Sequence, residues 1–595
     1  MRCILLAALC AGLLTPAALA QLDQRWAAFE AAPGMLPTGA TVSDDDHETD
    51  LAWADLDLDG DVDLVVVRKR PFTTLEGRTN VLLMNEGGVL VDRTATLAAD
   101  SDVVGDLGFL SATNDRDVVI ADLDGDGFPE VVTATEQTVG LGKAVSHPRV
   151  YKNLGVGPEG WRGLRYEESR IPELLHFVSG LPFPPRFTAV AAGDIDGDGD
   201  VDLYFGDHDT GTALFGGVQP FTEDLEDRLL LNDGTGFFTD ATTLTLSYAM
   251  VTSGFCNAVE LVDINGDGAT DIVKQITYQA PEVVTIAYND PVQPGSSFDF
   301  VAYPSPSPYF LSTGDLDGNG RLDLAVTSNA DDYVILNQGT LPSGHVDWSP
   351  FQGLELLFGA EEIGPFGASY GSNSLMVDLD ADGLGELIIA DVDVEFPFYE
   401  SGFRTRLYHG RDTGAGFALT EERELAGPGG WVGAVGLSAE ALRWTHDVAA
   451  FDVDRDGLRD LILSRREGTQ VWRQIPASVC QVDLGFGAGL QLELCGGDLS
   501  SGTTAELQLT GGVPGAPFFL ALGLAANPTP LPGFAVTLVP DPINQLLTLP
   551  SDATGSFFAT LQGGGSTVVV AQAFQLDSAT ATLLASNALS VQKLP

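Results

Sequence analysis

The pattern D-x-[DN]-x-[DN]-G-x-x-[DE] occurs seven times in this chain, starting at Asp55, Asp122, Asp194, Asp263, Asp315, Asp378 and Asp452. In the first copy Asp55, Asp57, Asp59 and Asp63 put carboxylates at positions 1, 3, 5 and 9, with Asp61 at position 7. The corresponding residues are Asp122, Asp124, Asp126, Phe128 and Glu130 in the second copy, and Asp194, Asp196, Asp198, Asp200 and Asp202 in the third. The fourth has Asp263, Asn265, Asp267, Ala269 and Asp271, and the fifth Asp315, Asp317, Asn319, Arg321 and Asp323. Asp378, Asp380, Asp382, Leu384 and Glu386 form the sixth, and Asp452, Asp454, Asp456, Leu458 and Asp460 the seventh. Hard oxygen donors crowded on one short turn suit Ca²⁺, which takes about 6–8 oxygens at roughly 2.3–2.6 Å. Position 7 varies freely, as expected where only a backbone carbonyl faces the ion. Position 6 is always Gly, the residue that takes a positive φ without steric cost. Up to seven Ca²⁺ ions are therefore expected.

Positions 2 and 10 are aliphatic in every copy, for example Leu56 and Leu64, or Ile195 and Leu203. Each loop is thus pinned to a core on both sides. An EF-hand would need a bidentate Glu at about position 12 and flanking helices. Position 12 is here Val66, Thr133, Phe205, Lys274, Val326, Ile389 or Leu463. Runs such as Leu64–Val67 and Leu461–Leu463 read as buried strands, so the loop is expected to join two strands.

These residues resemble the FG-GAP/VCBS repeats of integrin-α-like β-propellers. That unit is a strand, the acidic loop, a second strand, and often an N-x-G-x-F-x-D hairpin. The hairpin is visible from Leu231 to Asp240, with weaker echoes at Asn85-Glu86-Gly87-Gly88 and Asn337-Gln338-Gly339. The resemblance covers residues 25–475 and implies an all-β fold, a seven-bladed β-propeller with calcium-binding loops over 21–475. Blade seven is short of a strand, and the segment Arg25–Phe29 is the candidate to supply it and close the ring.

Residues 1–20 read as a secretory signal: Arg2, an apolar stretch from Ile4 to Leu14, and Ala18-Leu19-Ala20 ahead of Gln21. No other apolar run reaches the roughly 18 residues of a membrane span. The chain is expected to be secreted or held at the cell surface. From Pro476 acids become rare and short β-like runs alternate with Gly/Pro/Ser turns, which predicts a small C-terminal β-sandwich over 476–595. Cys480 and Cys495 lie there and are candidates to pair in an oxidising compartment, whereas Cys256 reads as a buried apolar residue. With 84 acids against 29 bases the net charge is −55. That surface argues against nucleic-acid and anionic-membrane partners.

Catalytic signals are weaker. Gly367-Ala368-Ser369-Tyr370-Gly371 matches a nucleophile elbow, but it precedes a propeller strand and not a helix. In the resembled family the strand entering the acidic loop is the innermost of its blade. Residues at its start then ring the central channel: His47 with Asp50, Asp115 with Asp117, Arg186, Asn257, Tyr309, Asn373, and Trp444, His446 with Asp447. Such groups at a concave mouth suit sugar binding or acid–base chemistry. Long connections over 156–186 and 423–443 are expected on the same face. The leading expectation is a binding or adhesion module for an extracellular glycan or protein. The second is a polysaccharide lyase or hydrolase working at the channel mouth.

Overall fold

The computed structural model describes most residues between 23 and 593; the undescribed stretches include 43–48, 70–76, 209–224, 355–370, 392–404, 422–433 and 436–444. His47, Trp444, residues 1–20, the Gly367–Tyr370 part of the elbow motif and most of 423–443 fall outside the described residues. One compact unit spans Phe29–Ile475, and a second gathers Pro476–Pro595 with the N-terminal residues up to Ala28.

The first unit is a seven-bladed β-propeller. Each blade is an antiparallel meander whose first strand is innermost and runs into an acidic loop. In blade one the strands are Thr49–Ala54, Asp63–Arg68, Val81–Asn85 and Leu90–Asp92. Blades three and four repeat that order from Phe187–Gly193 to Phe238–Asp240 and from Val259–Val262 to Phe298–Pro304. Blades five and six run from Pro308–Gly314 to Gln352–Gly353 and from Gly371–Val377 to Phe417–Glu421. Blade seven contributes Thr445–Phe451, Asp460–Arg465 and Gln470–Ile475 from the end of the unit, and its fourth strand, Ala27–Ala31, comes from the N-terminus. The ring therefore closes as the missing strand predicts, two residues further along than Arg25–Phe29.

Blade two corrects one expectation. Residues 156–186 are only partly loop, because Leu164–Tyr166 is the blade's fourth strand, pairing with Arg149–Asn153. Its three-residue length gives too short an alternation to read, and the ribbon Val156–Gly157 with Gly160–Trp161 precedes it.

The aliphatic pins behave as the pattern demands. Position 2 (Leu56, Leu123, Ile195, Ile264, Leu316, Leu379, Val453) and position 10 (Leu64, Val131, Leu203, Ile272, Leu324, Leu387, Leu461) are all buried. Twelve of these fourteen sit in the apolar layers between neighbouring blades, for instance Leu56 with Val131 and Tyr151, or Ile195 with Ile272 and Ala287. Burying one such side chain is worth about 1.5–3 kcal/mol.

The second unit is also all-β. Its strands form two arms that share Gly489–Cys495: one continues through Thr504–Thr510 to Phe557–Gln562, the other through Thr582–Lys593, Thr567–Asp577 and Phe518–Gly523 to Gln545–Leu549. Leu492, Leu507, Phe518, Ala573 and Leu589 from both arms pack in one core. Hydrogen bonding through the shared strand makes this one branched sheet where two separate ones were expected. Cys480 and Cys495 are direct register partners on antiparallel strands. Among the described residues no helix is long and apolar enough to cross a membrane.

Candidate metal loops and central channel

Each acidic loop is folded by its own carboxylates. The N–H of the position 6 glycine donates to the position 1 carboxylate in all seven loops, from Gly60 to Asp55 (2.8 Å) through Gly457 to Asp452 (2.8 Å). The N–H of position 7 donates to the position 5 side chain in all seven. The position 6 glycines have φ between 80° and 95°, the left-handed region their type was read to require. Position 4 shares that conformation. It is Gly in four copies, but Leu58, Ala381 and Arg455 hold φ near 60° in the others. A non-glycine residue there costs about 1 kcal/mol, so the loop imposes its shape against local preference.

The position 9 carboxylate joins the loop to the blade. One oxygen accepts the N–H of position 2 in every copy, as Asp63 does from Leu56 (3.0 Å) and Asp202 from Ile195 (2.9 Å). The other accepts a backbone N–H at the end of the third strand: Asn85, Asn153, Asn232, Asn289, Asn337 and Gln474 donate to Asp63, Glu130, Asp202, Asp271, Asp323 and Asp460. The side-chain amides of those six residues then cross to the preceding blade. They donate to the position 2 carbonyls of Val453, Leu56, Leu123, Ile195, Ile264 and Leu379 at 2.7–3.0 Å. The Asn85 bond runs from blade one to blade seven and so closes the girdle. The N-x-G hairpins have the same origin, since Asn153, Asn232 and Asn337 accept the N–H of the glycine two residues on.

Blade six departs from this rule. The latch position is Gly410, where a Cβ would lie 2.5 Å from the Gly385 carbonyl. There the Gly385 N–H itself donates to the Leu316 carbonyl of blade five (2.9 Å).

Seven buried carboxylates in loops rich in other carboxylates are electrostatically costly. Burial pushes the position 9 acids up, to about 7 for Asp63, Glu130, Asp202, Asp271 and Asp460, about 6 for Asp323 and about 9 for Glu386. A cation relieves that penalty. Carboxylate oxygens of positions 1, 3 and 9 converge within 4.8 Å of one another in Asp55/Asp57/Asp63, Asp122/Asp124/Glu130, Asp194/Asp196/Asp202 and Asp315/Asp317/Asp323. Oδ1 of Asp122, Asp124 and Asp378 is buried with no hydrogen-bond donor. Such all-oxygen donor sets fit a hard divalent cation such as Ca²⁺. In the sixth loop His409 joins Asp380 and Glu386. In the second, Lys152 reaches Asp124, Asp126 and Glu130; burial opposes its charge, but hydrogen bonds to Asp124 and Asp126 hold its pKa above the ordinary lysine value.

The channel residues named from sequence divide into groups. Asn373, Asp447, Asp50 and Asp117 stand at the same place, five residues ahead of their loops, on blades six, seven, one and two. Those blades are consecutive around the ring. Asn373 donates to Asp50 (3.1 Å), and Lys69 pairs with Asp50 (2.6 Å). Asp447 accepts the N–H of Leu51 on the next blade (2.8 Å), and Asp117 that of Val190 (2.7 Å). Burial, then repulsion from Asp50, pushes Asp117 to about 8 and Asp447 well above the carboxylate range. Lys69 directly follows the second strand, Asp63–Arg68, so no spacing from the loop's entry strand points to it.

The rest lie elsewhere. Asp115 is fully buried and accepts from Asn80, Thr113 and Thr135, which makes it a structural bracket. Arg186 bridges to Glu136, which is 3.4 Å from His208; His208 stacks edge-on against Phe255, and Phe255 against Tyr309. Asn257, two residues ahead of its strand, is half-buried, and His446 is buried at the start of Thr445–Phe451.

No family model matches the chain, and no curated protein does. Solved structures with low similarity include the extracellular domain of the one-component system BT4673 from B. thetaiotaomicron, at 9% identity and TM-score 0.38. That match covers 96% of this chain and 58% of the other. The V. cholerae biofilm matrix protein Bap1 matches at 12% identity and TM-score 0.32, over 96% of this chain and 71% of that one. The Dos1 propeller matches at 10% identity and TM-score 0.36, over 76% and 96%.

Two outcomes test this geometry. Asn232→Ala strips a donor from the carbonyls of Leu123 and Val201. It should lower unfolding stability by about 1–3 kcal/mol in urea titrations, and a loss below about 0.5 kcal/mol would contradict the latch. Asp117 should keep its proton near neutrality. Its proton-linked stability is complete below about 4 and is lost as pH rises through about 8. A wild-type minus Asp117→Asn infrared difference spectrum should carry a protonated carboxyl band at pH near neutral that bleaches through about 8; absence of the band near neutrality would contradict the assignment.

Proposed function

We propose that this chain is an exported propeller of the FG-GAP/VCBS kind, stabilised by calcium in its loops and acting as a binding or adhesion module for an extracellular glycan or protein. The observation that carries the reading is the loop set itself. Seven oxygen-lined turns, each folded by the same carboxylate–amide bonds and mostly latched to the next, give a rigid ring rather than a single reactive centre. The strong negative charge favours partners that are neutral, cationic or bridged by cations.

One observation favours a second reading, a lyase or hydrolase at the channel. Burial and then repulsion from Asp50 push Asp117 up to about 8, while Asp50 itself pairs with Lys69 (2.6 Å), so two neighbouring carboxyls sit in unlike surroundings. Paired acids in unlike environments are what general acid–base cleavage of a glycosidic bond uses.

A glycan-array and polysaccharide-degradation screen in Ca²⁺, with a chelator control, separates the two. Calcium-dependent retention without turnover is expected. New reducing ends or unsaturated products, abolished by Asp117→Asn, would replace the binding reading with the enzymatic one.

A further inference from the structure

The residue just before the latch amide occupies one register position in every blade, directly after the partner of loop position 10. It is Met84, Leu231, Tyr288 and Leu336 in blades one, three, four and five. In blade two it is Lys152. Its Nζ lies 2.5 Å from Asp124, 2.7 Å from Asp126 and 3.1 Å from Glu130, which are positions 3, 5 and 9 of the second loop. Arg170 adds a second positive group 3.6 Å from Asp124. An ammonium offers three donors and one compact charge. Here all three meet loop carboxylates, one of them the fully buried Glu130.

From this geometry we propose that Lys152 serves as a tethered counter-ion and keeps the second loop from taking calcium, so that occupancy is set blade by blade at this register position. An ion ligated at about 2.3–2.6 Å needs the same oxygens that Lys152 holds. Entry would require expelling a charged, largely buried side chain. The basic residues at this position in the last two blades reach less far. His409 Nε2 is 3.4 Å from Asp380 and 3.8 Å from Glu386, and Arg473 is 3.4 Å from Asp454 and shares itself with Glu30. This inference rests on the calcium reading of the loops and refines its stoichiometry.

The test is equilibrium dialysis of the full chain against Ca²⁺ alone, with wild type, Lys152→Met and Leu231→Lys compared. Methionine is the residue blade one carries at this place. Wild type should bind fewer ions than it has loops. Lys152→Met should gain one ion, and Leu231→Lys should lose one. In chelator, Lys152→Met should also melt below wild type, with calcium restoring the difference; Leu231→Lys keeps the test open if Lys152→Met does not fold. Seven ions on wild type, or equal numbers on the foldable variants, would overturn the inference and leave the calcium reading standing. No ion bound by any of them would overturn both.

Discussion

A buried carboxylate at loop position 9 ties each blade of this propeller together. In six of the seven blades its two oxygens are divided between the N–H that opens the loop and the N–H that ends the third strand, so one side chain fixes the spacing of three strands; in blade six Glu386 makes only the first of these bonds. The residue supplying the second N–H extends its amide to the preceding blade. A charge placed where water is excluded is thereby spent on backbone donors, and the same donors set the loop's shape. Leaving such a group unpaired costs more than a normal hydrogen bond contributes, so the arrangement holds its register strictly.

The channel shows the same economy of position. Asp117 and Asp447 use their carboxyl groups to accept N–H bonds from the inner strand of the next blade, and burial there pushes both above the ordinary carboxylate range. Their structural role and a chemical one are therefore not exclusive. What distinguishes the arc of blades six, seven, one and two from the rest is that blades three, four and five carry Ala189, Ala258 and Phe310 at this place.

Much of this was legible before the structure. The loop pattern carries its own periodicity, so blade number, the inward aliphatic pins and the need for a closing strand could all be read from it. Position 4 could not, because Leu58, Ala381 and Arg455 hide a left-handed backbone behind ordinary side chains. The latch was half visible: Asn85, Asn153, Asn232 and Asn337 each precede a glycine by two residues, while Asn289 and Gln474 lack that context. Lys152 was invisible, since it approaches the second loop from a strand 22 residues beyond Glu130 and only the register brings it there. Counting back from each loop picks out Asn373, Asp447, Asp50 and Asp117, whereas the burial of Asp115 beside a bulge between it and Asp117 leaves no mark in the sequence.

The central claim is that cations in the loops offset the cost of their clustered carboxylates and so hold the ring. At free calcium about ten times Kd each occupied site contributes about 1.4 kcal/mol, and several sites together rival the 5–15 kcal/mol or so that keeps a typical domain folded. Thermal unfolding of the full chain in calcium and in excess chelator measures this directly. The account predicts a large fall in Tm of the propeller transition on chelation, reversed when calcium is restored. An unchanged Tm would contradict it.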